Sequence, residues 1–93
     1  MRLGDEEKLF DNSYPVRGAH IHENNLTFAV FAGVIKKKWA VRIWCKSETE
    51  KEFGNPVFEQ DFRSEKKAVF MVDAIAKTIA LVSAQHAIRK REK

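Results

Sequence analysis

The stretch SEKKAVFMVDAIAKTIALVSAQHAIRK, residues 64–90, decides how the rest of this chain is read. It predicts one long helix. Ser64 stands where an N-cap belongs, with a hydroxyl able to accept an otherwise unpaired amide of the first turn. Glu65 follows at the positive end of the helix dipole, and Arg89, Lys90 and Arg91 crowd the negative end. Neither Gly nor Pro interrupts the run. Ala68, Val72, Ile75, Ile79 and Val82 recur at steps of three and four, so they form one apolar stripe, bordered by Met71, Ala76 and His86. A thinner line runs through Phe70, Ala74, Leu81 and Ile88 on the other side, interrupted by Asp73, Lys77 and Gln85. The first stripe is expected to pack on a sheet. The second is a surface on which two copies would meet, although its seven-residue steps are too few for a coiled coil.

Upstream of the helix the pattern changes to period two. Residues 26–35, LTFAVFAGVI, are rich in β-formers and nearly apolar on both faces, which marks a central strand. Residues 38–46 alternate. Trp39, Val41, Ile43 and Cys45 face one way, toward the core, and Ala40, Arg42, Trp44 and Lys46 face the other. Residues 19–23 read as a first strand turned by Asn24-Asn25, and residues 57–62 as a last strand with Phe58, Gln60 and Phe62 on one face and Glu59 and Asp61 on the other. Gly33 is expected to mark a bulge or a bend. The charged connection over residues 47–56 holds nothing for a core, and residues 1–18 read as a loosely structured leader in which Leu9 and Phe10 dock on the core.

The resulting fold class is α+β. A single domain over residues 19–93 is expected, an antiparallel meander of three to four strands closed by one C-terminal helix on one face. The opposite sheet face is then left open, and function is expected there.

Composition sets the outer limits. A chain of 93 residues, 44% apolar with ten aromatic residues, can bury a core without metal or disulfide. The single Cys45 cannot form an internal bridge, the N-terminus has no apolar signal core, and no apolar run would span a bilayer; a cytoplasmic protein is expected. Net charge is +4, and it is uneven: residues 1–25 carry −2, residues 26–63 carry +2 and residues 64–93 carry +4. Such a distribution suits nucleic acid or an acidic protein surface.

Catalytic and metal chemistry find little support. There is no phosphate-binding Gly-rich loop, nucleophile elbow or HExxH, so neither an enzyme nor a cofactor is expected. His20 and His22 would lie about 7 Å apart on one strand face, a spacing two metal ligands share. Cys45 and His86 fit a core-facing register instead of completing such a site, and no metal is expected. Glu59 and Asp61 are paired carboxylates on one face, but Arg42 and Lys46 on the neighbouring strand make cross-strand ion pairing the simpler reading.

Binding has the better physical case. Arg42, Trp44 and Lys46 should project from one face beside a turn of Lys36, Lys37 and Lys38. An indole stacks on an unpaired base while cations neutralise phosphate. The expected function is therefore a small non-enzymatic nucleic-acid-binding or regulatory protein. The alternative is a compact phage- or plasmid-type modulator that binds a protein through the same face or the outer helix stripe. Trp39-Ala-Val-Arg-Ile, a charged loop and a strand entering Arg63-Ser-Glu-Lys-Lys-Ala resembles three-stranded-sheet DNA readers, among them plant transcription-factor domains and the arm-binding domains of phage integrases. The four-strand order with a long closing helix is also similar to the positive-cofactor-four type of dimeric single-stranded DNA binder. The acidic last strand departs from that second pattern.

Overall fold

The computed structural model describes residues 5–91, with side-chain surroundings for residues 7–82 apart from Ser13. Four strands, β1 (Arg17–Glu23), β2 (Leu26–Ile35), β3 (Lys38–Ser47) and β4 (Phe58–Phe62), precede helix α1 (Glu65–Arg91). The strands form one antiparallel sheet in chain order. The expected meander with a closing helix is what the chain forms.

Local chemistry explains the turns. Asn24 and Asn25 both adopt positive φ, 50° and 66°, between the closing pair Glu23 and Leu26, which gives a two-residue hairpin matching the strand twist. The second hairpin turns on Lys36 and Lys37 alone, at φ 52° and 67°, while Lys38 opens β3. Lysine has no intrinsic preference for that region. Asp11 holds the turn from outside: its carboxylate oxygens accept the backbone N–H groups of Lys36 and Lys37, each at 3.2 Å. Ser64 caps α1 as its position predicts, accepting the Lys67 N–H on Oγ at 3.2 Å.

On the helix face, Val30, Ala32 and Val41 pack against Ala68 and Val72. Phe28, Trp39, Ile43, Phe58, Phe62, Met71, Ile75 and Ile79 close the margins. Val82, expected in this stripe, is instead exposed and lies beside Leu26 at the end of the sheet.

The far face is not open. Phe10, Ala29, Phe31, Trp44 and Phe53 form a second buried cluster, with Ile35 packed against it. Trp44 has no exposed surface, Phe10 retains 2% and Phe53 1%. Phe31 stands edge-to-face with both Phe10 and Trp44, with ring centroids 6.2 Å apart in each case. The physical reason is the two-sided apolar character of β2. Burying only one side would leave Ala29 and Phe31 in water, and one helix cannot cover both faces. Phe10 arrives from the leader, between two 3-10 turns over Asp5–Leu9 and Asp11–Ser13. Phe53 comes from the charged connection between β3 and β4.

Gly33 makes no bulge. It pairs in register with Ala40, and a Cβ there would run into the ring of Phe10, so the glycine is the seat of that plug. Both plugs therefore contribute core area. Trp44→Ala and Phe53→Ala should each lower the unfolding free energy by about 3–5 kcal/mol, as buried aromatic truncations do. Urea denaturation followed by far-UV circular dichroism checks this. An open far face would leave either variant close to wild type.

Candidate functional site

β3 carries the cations expected to bind, and the structure shows where each one goes. Arg42 lies on the far face with its side chain 16% exposed. Its guanidinium sits 3.6 Å from Glu59 Oε1 and 3.6 Å from Asp61 Oδ1 on β4, and Nη1 donates to the Val41 carbonyl at 3.0 Å. The register places Arg42 opposite Glu59 and Ala40 opposite Asp61, so alternation along both strands creates this triad. Lys46 Nζ donates to the Glu50 carbonyl at 2.8 Å. It makes no pair with Glu59 or Asp61 among the described residues.

The tight turn beneath Lys46 is local chemistry. The Ser47 N–H donates to Glu50 Oε1 at 3.1 Å, and the Glu50 N–H donates to the Ser47 carbonyl at 3.2 Å. Hydrogen bonds from the Ser47 backbone, then from its side chain, hold the Glu50 carboxyl below its ordinary range.

Trp44 completes the predicted trio but offers no stacking surface, because its ring lies beneath Phe53 and against Phe31. Its indole Nε1 is buried with no hydrogen-bond partner. The expectation of an exposed Arg42–Trp44–Lys46 surface is therefore corrected. The indole is core, the guanidinium faces two carboxylates, and the ammonium is tied to the next turn. Only Lys36, Lys37 and Lys38 remain as exposed cations of that set.

His20 and His22 share the far face of β1. His22 Nδ1 lies 3.0 Å from Thr27 Oγ1, and the His20 ring stands edge-to-face on Phe31 at 5.3 Å. Cys45 lies on the opposite, helix-facing side beside Phe28 in register, and His86 lies outside the described residues. Among the described residues no three His, Cys, Asp or Glu side chains converge as a metal site.

The outer side of α1 is different. Phe70 is 72% exposed and Leu81 64%, with Ala74 half-buried on the same stripe. The Ile88 side chain lies outside the described residues. Phe70 does not stand alone. It lines an apolar groove of about 460 Å³ with Phe62 and Met71, flanked by Lys66 and Lys67. The helical stripe was readable as a period. The groove was not, because Phe62 belongs to β4 and reaches it only through the turn into α1. A weak signal was present in Phe62, Lys66 and Phe70, which recur every four residues.

Among the described residues no helix is long and apolar enough to cross a membrane. Cys45 is the one thiol, and burial, reinforced by the Glu50 charge, pushes its pKa up. A raised thiol pKa means its contribution to folding stability is intact below the unfolded value and fades as pH rises through the folded one. Alkylation of Cys45 should accordingly accelerate at higher pH in the folded protein than in the urea-unfolded chain, measured by mass spectrometry across a pH series. Equal pH midpoints would mean the thiol is not desolvated. Comparison with protein families, characterised proteins and solved structures finds no match to this chain.

Proposed function

We propose that this chain is a protein-binding module that needs no cofactor and docks an acidic, apolar-anchored partner surface on the outer face of α1. The observation that carries this reading is Phe70, 72% exposed over a groove that Lys66 and Lys67 flank. A solvent-exposed aromatic ring loses favourable burial unless something covers it, and an aromatic anchor in a pocket with a charged rim is how hot spots are built. The lysine stems extend the apolar floor while their ammonium groups select for carboxylates.

Charge discriminates between partners. Lys66, Lys67 and Lys77 have no carboxylate partner among the described residues, and of the two acids on the described helix, Glu65 and Asp73, the second is taken by Arg17 at 2.9 Å. Two copies meeting through this stripe would bring Lys66, Lys67 and Lys77 of each together, with Glu65 of the first turn as the one acid of the described helix not already paired. An acidic partner of another kind fits better. For nucleic acid, the internal bonding of Arg42 and Lys46 and the burial of Trp44 remove the expected platform, and the cations of the β2–β3 turn and those beside Phe70 are the groups that an oligonucleotide would have to use.

Three variants separate these readings. Phe70→Glu and the pair Lys66→Glu with Lys67→Glu replace exposed groups and should leave stability within about 0.5 kcal/mol of wild type. Lys36, Lys37 and Lys38 changed together to Ala test the turn. A photo-crosslinking residue at position 70, used in the native cell, should yield one protein adduct that the Lys66/Lys67 variant abolishes. Labelled oligonucleotides at about 50 mM salt should bind weakly and without regard to Phe70. Tight oligonucleotide binding that disappears with the turn variant, and no adduct from position 70, would overturn the proposal.

A further inference from the structure

β1 is the outermost strand on its side of the sheet, and among the described residues no strand pairs with its outer edge. The two-residue turn closes on Glu23 and Leu26, so that pair and every second pair beyond it, through Ala19 and Val30, take the hydrogen-bonded positions, while at the Arg17 end the Ala32 carbonyl accepts the Val16 N–H at 2.8 Å. The N–H and C=O groups of Gly18 and His22 consequently point away from β2. An edge of this kind is a template for another strand.

The sequence of β1, Arg-Gly-Ala-His-Ile-His-Glu, is complementary to its own reverse. Laid antiparallel on a second copy about a two-fold axis at His20, Arg17 faces Glu23, Gly18 faces His22, and Ala19 faces Ile21. Opposite charges meet at both ends, and the two apolar residues meet on the helix face. Gly18 and His22 would exchange both backbone hydrogen bonds. This register uses the full length of the strand; a shift of the axis in either direction separates Arg17 from Glu23. The His20 ring is engaged on Phe31 and takes no part in the argument beyond marking the axis.

The other edge of the sheet gives the contrast. β4 has five residues, Phe-Glu-Gln-Asp-Phe. The same operation about Gln60 would set Glu59 against Asp61, a like-charge pair that disfavours association. One edge complements itself and the other repels itself.

α1 allows the approach. It runs along β1, with Asp73 against Arg17 at one end and Thr78 and Val82 beside Glu23 at the other. A two-fold at His20 sets the two helices side by side on the same sheet face. By helical spacing, the flank that carries Asp73 also carries Ala76, Lys77 and Ala80, so two small residues and one long, exposed lysine lie along the approach. The Phe70 groove lies where Phe62 of β4, at the far edge of the sheet from β1, meets α1, and stays outside this contact.

We propose that this protein self-associates through the outer edge of β1, where Arg17 of each copy pairs with Glu23 of the other to join two four-stranded sheets into one. The occupant is a second copy of this chain, because the charge pattern is self-complementary only under a two-fold axis.

Sedimentation equilibrium over a concentration series tests it through charge swaps. Wild type should associate to a dimer. Arg17→Glu places Glu opposite Glu23, and Glu23→Arg places Arg opposite Arg17, so each single variant should weaken the dimer about tenfold or more. An equimolar mixture of the two variants should regain association as a heterodimer, and the double variant Arg17→Glu/Glu23→Arg should regain it alone. Arg17→Glu also gives up the Arg17–Asp73 pair, so Asp73→Asn, which breaks that pair alone, is the control and should dimerise as wild type does, while a cooperative thermal melt confirms that each variant folds. A monomeric wild type, or single variants that dimerise as wild type does, would overturn the proposal. So would single variants that stay monomeric both when mixed and when combined, since rescue is specific to this register. A dimer lost on Leu81→Glu but retained by Arg17→Glu would place the interface on the helix stripe and overturn it too.

Discussion

The burial of Trp44 is the interaction on which the rest depends. β2 and β3 present apolar side chains to both faces of the sheet, and a chain with a single long helix has cover for one of them. The second face is closed by Phe10 and Phe53, one from before the sheet and one from the β3–β4 connection. Each brings an otherwise polar segment into register with the core. Asp11 follows Phe10 directly and caps the β2–β3 turn, so docking the ring also places the carboxylate that supports two lysines at positive φ. Gly33 and Gly18 are the complement of this arrangement, since a side chain at either would collide with the ring of Phe10 or Phe31.

Closing that face changes what the charges mean. Arg42 and Lys46 sit beside a buried indole and not beside an accessible one. Their bonding is internal, to Glu59, Asp61 and the 47–50 turn. Ion pairs of this length with half-exposed carboxylates contribute little to stability. Their effect is to neutralise the margin of the second core. Uncompensated positive charge remains on α1 and the β2–β3 turn, and on α1 the exposed ring of Phe70 shares its groove with two of these lysines.

Much of this fold was legible in the sequence because it is periodic. The alternation through Trp39, Val41 and Ile43, the two-sided apolar run of β2 and the stripe from Ala68 to Ile79 each repeat often enough to reveal a face. The pairing of Arg42 with Glu59 and Asp61 followed from the same alternation. Phe10 and Phe53 have no period. Each is one aromatic in a polar segment, and only the three-dimensional need to cover Ala29, Phe31 and Trp44 gives it a place. The Lys36 and Lys37 turn was hidden for a related reason: its support comes from Asp11, some 25 residues away in the chain. The groove at Phe70 escaped reading because one of its walls, Phe62, comes from β4. The sequence thus spoke for elements and for one helix face, while closure of the far face, and with it the location of any binding site, depended on single long-range contacts.

The most direct test of the closed far face is quenching of Trp44 fluorescence by iodide in a Trp39→Phe background, where Trp44 is the sole indole. A ring enclosed by Phe10, Phe31 and Phe53 should emit as a buried indole, resist quenching, and keep its spectrum when an oligonucleotide is added. Emission like that of solvated tryptophan, with quenching near that of the free amino acid, would mean the face is open and would return Arg42, Trp44 and Lys46 to the centre of the binding question.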